Sequence, residues 1–227
     1  MRPVDDSSPD AAGQSAQREY QRRHAARRAR AKARYGALGT LFASITADPV
    51  TIQGWQQGAG GEVATARELA RLRHRGDVIV IHDRRIPGRG RANIDHLAIG
   101  RGGVTVIDSK SSRGRVQLSA VGIVNRRELL LVNGRDRTSQ LDALERQIAR
   151  VANVLDRHDA GDVAVLGALC FPFMRREWLH FSRARDGLIT VDDPAHIAKL
   201  AKRAGPLTSE QIDQLAETPG AAFPPAT

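Results

Sequence analysis

The sequence predicts an α/β fold in which a mixed β-sheet carries helices against it. Short apolar segments bounded by glycine or polar residues, such as 78–83 and 103–110, are typical of strands. The segment 138–157 instead repeats its leucine, isoleucine and valine residues at helical spacing. A hydrophobic fraction of 41% in 227 residues is enough for a core, which excludes wholesale disorder.

The first half of the globular region predicts one helix and then a series of strands. Residues 36–60 predict a loosely structured connector, and the helix at 62–74 after it ends before Gly76. Pro87 and Gly88 mark a loop after the first strand. The predicted strands lie at residues 78–83, 92–100, 103–110, 115–120 and 128–132.

The second half adds the longest helix, at 138–157, and a buried strand at 162–171. A short strand follows at 188–191, and two helices follow near 193–203 and 208–216. This order of elements is that of a mixed sheet with helices packed on it.

Positive charge is concentrated near the start of the chain. The formal net charge is +10, and residues 18–34 contribute +7 of it through eight Lys or Arg and one Glu. This segment contains no Leu, Ile, Val or Phe, so it predicts a basic arm and not part of a core. Both a solvated arm and an arm that contacts phosphates remain open. The candidate contacts are Arg22, Arg23, Arg27 and Arg28.

Several classes of protein are excluded at the sequence level. Cys170 is the single cysteine, which excludes an internal disulfide or a multi-cysteine metal site, and its apolar surroundings predict a packed thiol. No apolar run reaches 18 residues, and the Arg-rich start lacks the apolar region of a secretory signal. We therefore expect no transmembrane segment and a cytoplasmic location.

A short turn sets the geometry of two strands. The two residues between Gly100 and Gly103 favour a tight hairpin, in which opposing residue numbers sum to 203. Asp95 then lies directly across from Asp108. Because side chains alternate along a strand, Lys110 shares the face of Asp108.

Facing carboxylates repel one another unless they share a cation or a proton. Two hard oxygen ligands suit Mg²⁺ or Mn²⁺, and a nearby lysine stabilises developing negative charge. Asp95, Asp108 and Lys110 together are thus the parts that phosphodiester hydrolysis requires. The alternative, an ion pair of Lys110 with either aspartate at a strand edge, stays equally open at this point.

The residues around this set also occur in an ordered series of short motifs from about Gly61 to Phe171. The motifs are Gly61-Glu62, His82-Asp83, Ile86-Pro87, Ala92-Asn93-Ile94-Asp95-His96, Gly103-Val104, Ile107-Asp108-Ser109-Lys110 and Gly114. In these motifs the chain resembles the nuclease-related domain (NERD) family, part of the PD-(D/E)XK superfamily. The resemblance implies that the chain has a restriction-endonuclease-like fold and nuclease activity.

The resemblance implies roles for individual residues. Asp95 and Asp108 match the acidic metal ligands, Lys110 matches the catalytic lysine, and Glu62 matches an acid that helps to hold metal or water. Gln147 matches a glutamine on the helix after the sheet. Two of these residues have a plain structural alternative. An acid in the first turn of a helix is favoured by the helix dipole, and a glutamine is often the polar flank of an amphipathic helix.

The sequence departs from the more familiar family pattern in one ligand, because Asp108 stands where Glu is more usual, and Ser109 follows it. Arg113 and Arg115 come after the lysine, where they are candidates to clamp phosphates, although the chain is Arg-rich throughout. His96 points to the face opposite Asp95, which favours a structural role.

We expect three regions: an arm and connector at 1–54, the nuclease-related domain at 55–172, and an α/β extension of the same globule with a tail at 173–227. The expected function is a metal-dependent nuclease that uses Mg²⁺ or Mn²⁺, with DNA the more favoured substrate over RNA. The alternative is a non-catalytic nucleic-acid-binding or adaptor module. A third hypothesis is association of the arm with an anionic membrane surface.

Overall fold

The computed structural model describes residues 49–73, 78–86, 93–121, 127–175 and 182–225. The predicted basic arm, with Arg22, Arg23, Arg27 and Arg28, lies outside these ranges. Among the described residues, no helix is both long enough and apolar enough to cross a membrane.

The described helices and strands follow the order that the sequence predicts, with three further strands of two residues each. In chain order they are α1 (Pro49–Arg73), β1 (Val78–Arg85), β2 (Asn93–Gly100), β3 (Gly103–Ser109), β4 (Gly114–Val121), β5 (Arg127–Val132), β6 (Arg135–Asp136), α2 (Ser139–Asp156), β7 (Val165–Cys170), β8 (Met174–Arg175), β9 (Arg183–Ala184), β10 (Ile189–Asp192), α3 (Pro194–Ala201) and α4 (Ser209–Ala222).

The main sheet has six strands in the order β1-β2-β3-β7-β10-β9. The pairs β3–β7 and β7–β10 are parallel, and the other pairs are antiparallel. The prediction of a mixed sheet in an α/β fold is therefore confirmed. Parallel pairing places the carboxyl ends of β3, β7 and β10 at one edge of the sheet, where the start of β2 also lies.

Helices cover both faces of this sheet. On one face, Leu144 and Ile148 of α2 belong to the same buried cluster as Leu97 and Val106 of the sheet. On the other face, α1 and α3 pack against a second buried cluster that includes Ala98. The alternation of buried side chains along β2 and β3 thus assigns every residue of these strands to one helix layer or the other.

A second sheet has four strands in the order β6-β5-β4-β8, and these strands do not pair with those of the main sheet. The sequence predicts β4 and β5 but not that they belong to a separate sheet. The change of direction occurs at Gly114, whose φ of +102° is in the left-handed region. A Cβ there would lie 2.3 Å from Oδ1 of Asn133, so the turn needs glycine for space as well.

Helix α1 begins at Pro49, so the prediction of a connector over 49–60 and a helix start at Glu62 is wrong. Proline is well suited to the first turn of a helix, where its missing N–H has no partner to lose. Gly61 is not a helix breaker but a packing residue. A Cβ at this position would lie 3.1 Å from the backbone N and Cα of Ser111.

The predicted hairpin register is confirmed. Gly100 pairs with Gly103 and His96 pairs with Ile107, and both pairs sum to 203. Gly103 has a φ of +107°, and a Cβ there would lie 2.2 Å from the carbonyl oxygen of Ala164. The tight turn therefore depends on glycine both for conformation and for space.

Candidate functional site

The predicted acidic residues meet at the sheet edge that joins the start of β2 to the end of β3. Asp95 is the third residue of β2, and Asp108 is the next-to-last residue of β3. Continuing the observed register by one residue past His96 and Ile107 brings these two aspartates opposite each other.

The carboxylate of Asp95 is held by the backbone of the neighbouring strand. Its Oδ2 accepts a hydrogen bond of 2.7 Å from the backbone N–H of Ser109. This bond continues the β2–β3 contact beyond the last backbone pair, with a side chain in place of a carbonyl. Asp95 is therefore oriented by a rigid strand and not by a loop.

The pKa of Asp95 is raised well above its usual value. Burial is the largest cause, and the negative charges of Glu62 and Asp108 raise it further. Lys110 and the hydrogen bond from Ser109 act in the opposite direction but do not cancel this effect. The carboxylates at this edge are therefore only partly neutralised by the lysine.

Lys110 follows the last residue of β3 and is anchored by its backbone, which donates a hydrogen bond of 2.7 Å to the carbonyl of Cys170. Its Nζ lies 2.7 Å from Oδ1 of Asp108. Burial by itself lowers the lysine pKa, but the charges of Asp108, Asp95 and Glu62 raise it overall. The ammonium group is therefore charged at neutral pH.

Glu62 comes from the opposite helix layer. It is half-buried on α1, directly after Gly61, whose backbone packs against Ser111 beyond the end of β3. Its charge raises the pKa of both Asp95 and Lys110. Thus the structure brings Glu62, which is 33 residues away from Asp95 in sequence, to the same edge of the sheet.

Gln147 reaches the start of β2 from α2. Its Nε2 donates a hydrogen bond of 3.2 Å to the backbone carbonyl of Asn93, two residues before Asp95. Its Oε1 is buried and has no hydrogen-bond partner in the described part of the chain. A buried oxygen without a partner is costly, and it marks a place where a water or a ligand group would be accepted.

Two arginines after Lys110 lie at the start of the second sheet. The guanidinium of Arg113 lies over the ring of Phe173, 4.7 Å from its centre. Arg115 is exposed and pairs in register with Arg175 on β8. Sequence analysis did not identify Arg175, because its pairing with β4 is a tertiary contact.

A buried polar row lies on the other face of the same strands, which sequence analysis did not anticipate. Nδ1 of His82 lies 2.8 Å from Nδ1 of His96, and Nε2 of His96 lies 3.1 Å from Oγ of Ser109. Burial, followed by the charge of His82, lowers the pKa of His96 well below its usual value. The only sequence signal was strand alternation, which placed His96 opposite Asp95.

A further cluster that contains acidic side chains lies at the end of β10. Single ligand atoms of Asp192, Asp193 and His196 all lie within 4.8 Å of one another, which is close enough to hold a metal ion. Asp193 is also the N-cap of α3, where its side chain accepts a 3.0 Å hydrogen bond from the backbone N–H of His196. Capping alone therefore accounts for Asp193 and His196 being together.

The prediction of a packed thiol at Cys170 is confirmed. The residue is fully buried, and the hydroxyl of Thr65 donates to its Sγ at 3.4 Å. Burial raises the pKa of the thiol to about 12, which rules out a thiolate at neutral pH.

A family model described as a nuclease-related domain, NERD, matches residues 57–172, about half of the chain. The matched segment contains Glu62, Asp95, Asp108, Lys110 and Gln147. Comparisons with curated proteins and with solved structures give no match.

Proposed function

The chain belongs to the nuclease-related domain family, and from that membership we propose that it is a metal-dependent nuclease that hydrolyses phosphodiester bonds, with DNA favoured over RNA. One observation carries the proposal. Asp95 is half-buried near Glu62 and Asp108, which raise its pKa, at the same strand ends from which Lys110 projects. A carboxylate with a strongly perturbed pKa and several charged neighbours is characteristic of functional sites.

The chemistry of the donor set suits a divalent cation. Asp95, Asp108 and Glu62 supply hard carboxylate oxygens, which Mg²⁺ and Mn²⁺ prefer. A divalent charge would offset the burial and repulsion that now raise the pKa of Asp95. When bound, such a cation supplies Lewis-acid charge to phosphate oxygens and lowers the pKa of coordinated water.

Lys110 would act through its charge and not as a base. Its raised pKa keeps the amine protonated at neutral pH, so it has no lone pair with which to accept a proton. The ammonium group would hydrogen-bond the attacking water and a non-bridging phosphate oxygen. The water would attack phosphorus in line and give up a proton to solvent, while the bond from phosphorus to the leaving ester oxygen would break and that oxygen would take up a proton from solvent.

Gln147 and the arginines would position the substrate. The buried Oε1 of Gln147 lacks a hydrogen-bond partner within the described ranges and would accept a hydrogen bond from water. Arg113, whose guanidinium lies over the ring of Phe173, would contact phosphates of the nucleic acid near Lys110. Arg115 would do the same. Arg22, Arg23, Arg27 and Arg28 remain proposed contacts in the arm.

The experiment that tests the proposal is a cleavage assay on single- and double-stranded DNA and RNA. We expect cleavage with Mg²⁺ or Mn²⁺, none in EDTA, and loss of cleavage in Lys110→Ala. Lys199→Ala provides a matched control, because Lys199 is an exposed lysine on α3. Full activity of Lys110→Ala in the presence of metal contradicts the proposal.

A second candidate is a nucleic-acid-binding module without catalysis. The 2.7 Å contact between Lys110 and Asp108 favours it, because this contact is also what a structural ion pair at a strand edge looks like. This candidate predicts binding that falls with salt, is unchanged by EDTA, and produces no cleaved product on any of the four substrates.

A further inference from the structure

The polar row behind the candidate site joins three neighbouring strands. His82 lies on β1, His96 on β2 and Ser109 at the end of β3, and they are 2%, 0% and 9% exposed. His82 and His96 are also paired in the strand register, and their rings meet edge to face at 85°. Each residue therefore holds the next one without help from solvent.

The contacts in this row constrain each other. Because the two Nδ1 atoms lie 2.8 Å apart, one of them must donate a proton to this hydrogen bond and the other must accept it. The choice at His96 Nδ1 determines whether its Nε2 donates to or accepts from the hydroxyl of Ser109, 3.1 Å away. Both rings and the serine rotamer are thereby oriented as one unit.

Ser109 connects this unit to the acidic site through its two polar groups. Its side chain bonds His96 on one face of the sheet, while its backbone N–H donates to Oδ2 of Asp95 at 2.7 Å. The orientation of the Asp95 carboxylate therefore depends on the position of the Ser109 peptide, and the histidines hold that residue from the other side. The residue between Asp108 and Lys110 is thus a contact point for both layers.

We propose that His82 and His96 are positioning residues that act through Ser109 to orient the Asp95 carboxylate for a divalent cation. This inference rests on the proposed function, because the polar row can orient a metal ligand only if Asp95 binds metal. Groups that orient a metal ligand from behind commonly change metal affinity by about 10- to 100-fold when removed.

The test measures the dissociation constant for Mn²⁺ by calorimetry, on the full chain without nucleic acid. We expect His96→Leu to bind Mn²⁺ about 10- to 100-fold more weakly than the wild type, and Ser109→Ala about 10-fold more weakly. In His96→Gln, the amide nitrogen takes the approximate place of Nε2, so binding is expected within about threefold of the wild type. Ser109→Ala removes a single oxygen and decides the proposal if His96→Leu does not fold.

Thr105→Val is the matched control. Thr105 is buried on the same strand and face as Ser109, but its hydroxyl accepts from Arg203 at 3.1 Å. This variant loses a buried hydrogen bond without touching the row, so its Mn²⁺ affinity is expected to equal that of the wild type. An equal loss of affinity in Thr105→Val overturns the proposal, because it indicates general destabilisation.

The Mn²⁺ measurements distinguish a failure of the positioning role from a failure of the proposed function. If the wild type binds Mn²⁺ and Asp108→Ala does not, while folded His96→Leu and Ser109→Ala both bind normally, the positioning role is wrong and the metal site stands. If the wild type does not bind Mn²⁺, the proposed function fails and the positioning role fails with it.

A spectroscopic measurement reports on the Asp95 contact without any metal. A backbone amide proton that bonds a carboxylate is strongly deshielded, so its NMR signal lies downfield. We expect the Ser109 amide signal to move upfield in His96→Leu and to stay in place in Thr105→Val. An unchanged Ser109 signal in folded His96→Leu contradicts the inference.

Discussion

The described part of the chain contains two clusters that each combine one cation with three carboxylates, and the clusters differ in how the cation neutralises its acids. We call them the Arg185 cluster and the Lys110 cluster. Their members are Arg185, Glu128, Asp142 and Glu145 in the first and Lys110, Asp108, Asp95 and Glu62 in the second. This difference separates a structural ion-pair cluster from a candidate functional site.

In the Arg185 cluster, one guanidinium contacts all three acids. It lies 3.0 Å from Glu128 and 3.2 Å from Glu145, and it also contacts Asp142. The side chains of Asp142 and Glu145 are about half exposed, at 47% and 49%, so water solvates their charge. These contacts tie β5 and α2 to the turn before β10.

In the Lys110 cluster, the compact ammonium group lies 2.7 Å from one acid, Asp108. Asp95, which is half-buried, has a raised pKa because loss of solvation and its acidic neighbours outweigh the lysine. Arginine presents several donors in a planar fork, whereas lysine concentrates its charge at one atom. With the same formal charges, the guanidinium contacts all three acids of the Arg185 cluster, whereas Asp95 in the Lys110 cluster keeps a raised pKa.

The largest expected effect is on nuclease activity, which should depend on the Lys110 cluster and not on the Arg185 cluster. Asp108→Asn removes a carboxylate from the Lys110 cluster, so we expect cleavage to fall by about 10²- to 10³-fold, while the folded state persists. Arg185→Gln should leave kcat/KM within about twofold, because Arg185 contributes to packing and not to chemistry. Single-turnover cleavage with saturating Mg²⁺ measures both variants. A comparable loss of activity in Arg185→Gln breaks the distinction.

The reverse effect is expected for stability. Arg185→Gln should lower the free energy of unfolding by about 1–2 kcal/mol, because it removes charge-assisted hydrogen bonds to partly exposed acids. Asp108→Asn should leave stability unchanged or raise it, since it removes a charge that repels Asp95. Urea unfolding in EDTA measures both. Arg183→Gln, at an exposed position on β9, is the control and should change stability by about 0.5 kcal/mol or less.

A pH-dependent effect of opposite sign is expected at two aspartates. The folded-state pKa of Asp95 is raised, so between the unfolded pKa near 4 and that higher value the folded state binds more protons. Its contribution to stability must therefore fall as pH rises through this window in EDTA. At Asp136, hydrogen bonds from Thr138 lower the pKa, so its contribution is lost as pH falls.

Urea unfolding of the wild type, Asp95→Asn and Asp136→Asn between pH 3 and pH 7 measures these contributions. The stability of the wild type relative to Asp95→Asn should decline with rising pH, whereas its stability relative to Asp136→Asn should increase. A flat difference for Asp95→Asn means that Asp95 is not perturbed, and the contrast between the clusters is lost.

The smallest expected effect concerns Arg113, which follows Lys110 by three residues in the sequence. Arg113→Ala should weaken nucleic-acid binding and reduce the slope of log affinity against log salt by about 1, the loss of one phosphate contact. Its stability should change by about 1 kcal/mol or less, the size of an exposed cation–π contact with Phe173. Binding is measured by titration at several salt concentrations with Ca²⁺ in place of Mg²⁺. An unchanged slope excludes a phosphate contact by Arg113.

Local rules predicted the strands of the candidate site. A two-residue turn leaves one register for the hairpin, and strand alternation then assigns Asp108 and Lys110 to one face, as their ion pair bears out. The helix that carries Gln147 follows from its apolar spacing. These features depend on residues that are near each other in the chain, so their geometry is encoded locally.

Features that join distant segments could not be predicted in this way. The sequence contains His82 and Arg185 without any sign of their partners, because those contacts arise only when strands and helices pack. The early start of α1 was missed for a related reason. Its glycines lower helix propensity, and at Gly61 the close approach of Ser111 explains why glycine is present.

The sequence by itself determined the order of the elements, the β2–β3 register and the acidic residues that lie on it, since periodicity and turn length are short-range properties of the chain. The tertiary structure decided how deeply those acids are buried, which cation each of them contacts and what lies behind them. Burial and charge neighbours depend on the whole packed molecule. For that reason, only the fold distinguishes the closed Arg185 cluster from the Lys110 cluster.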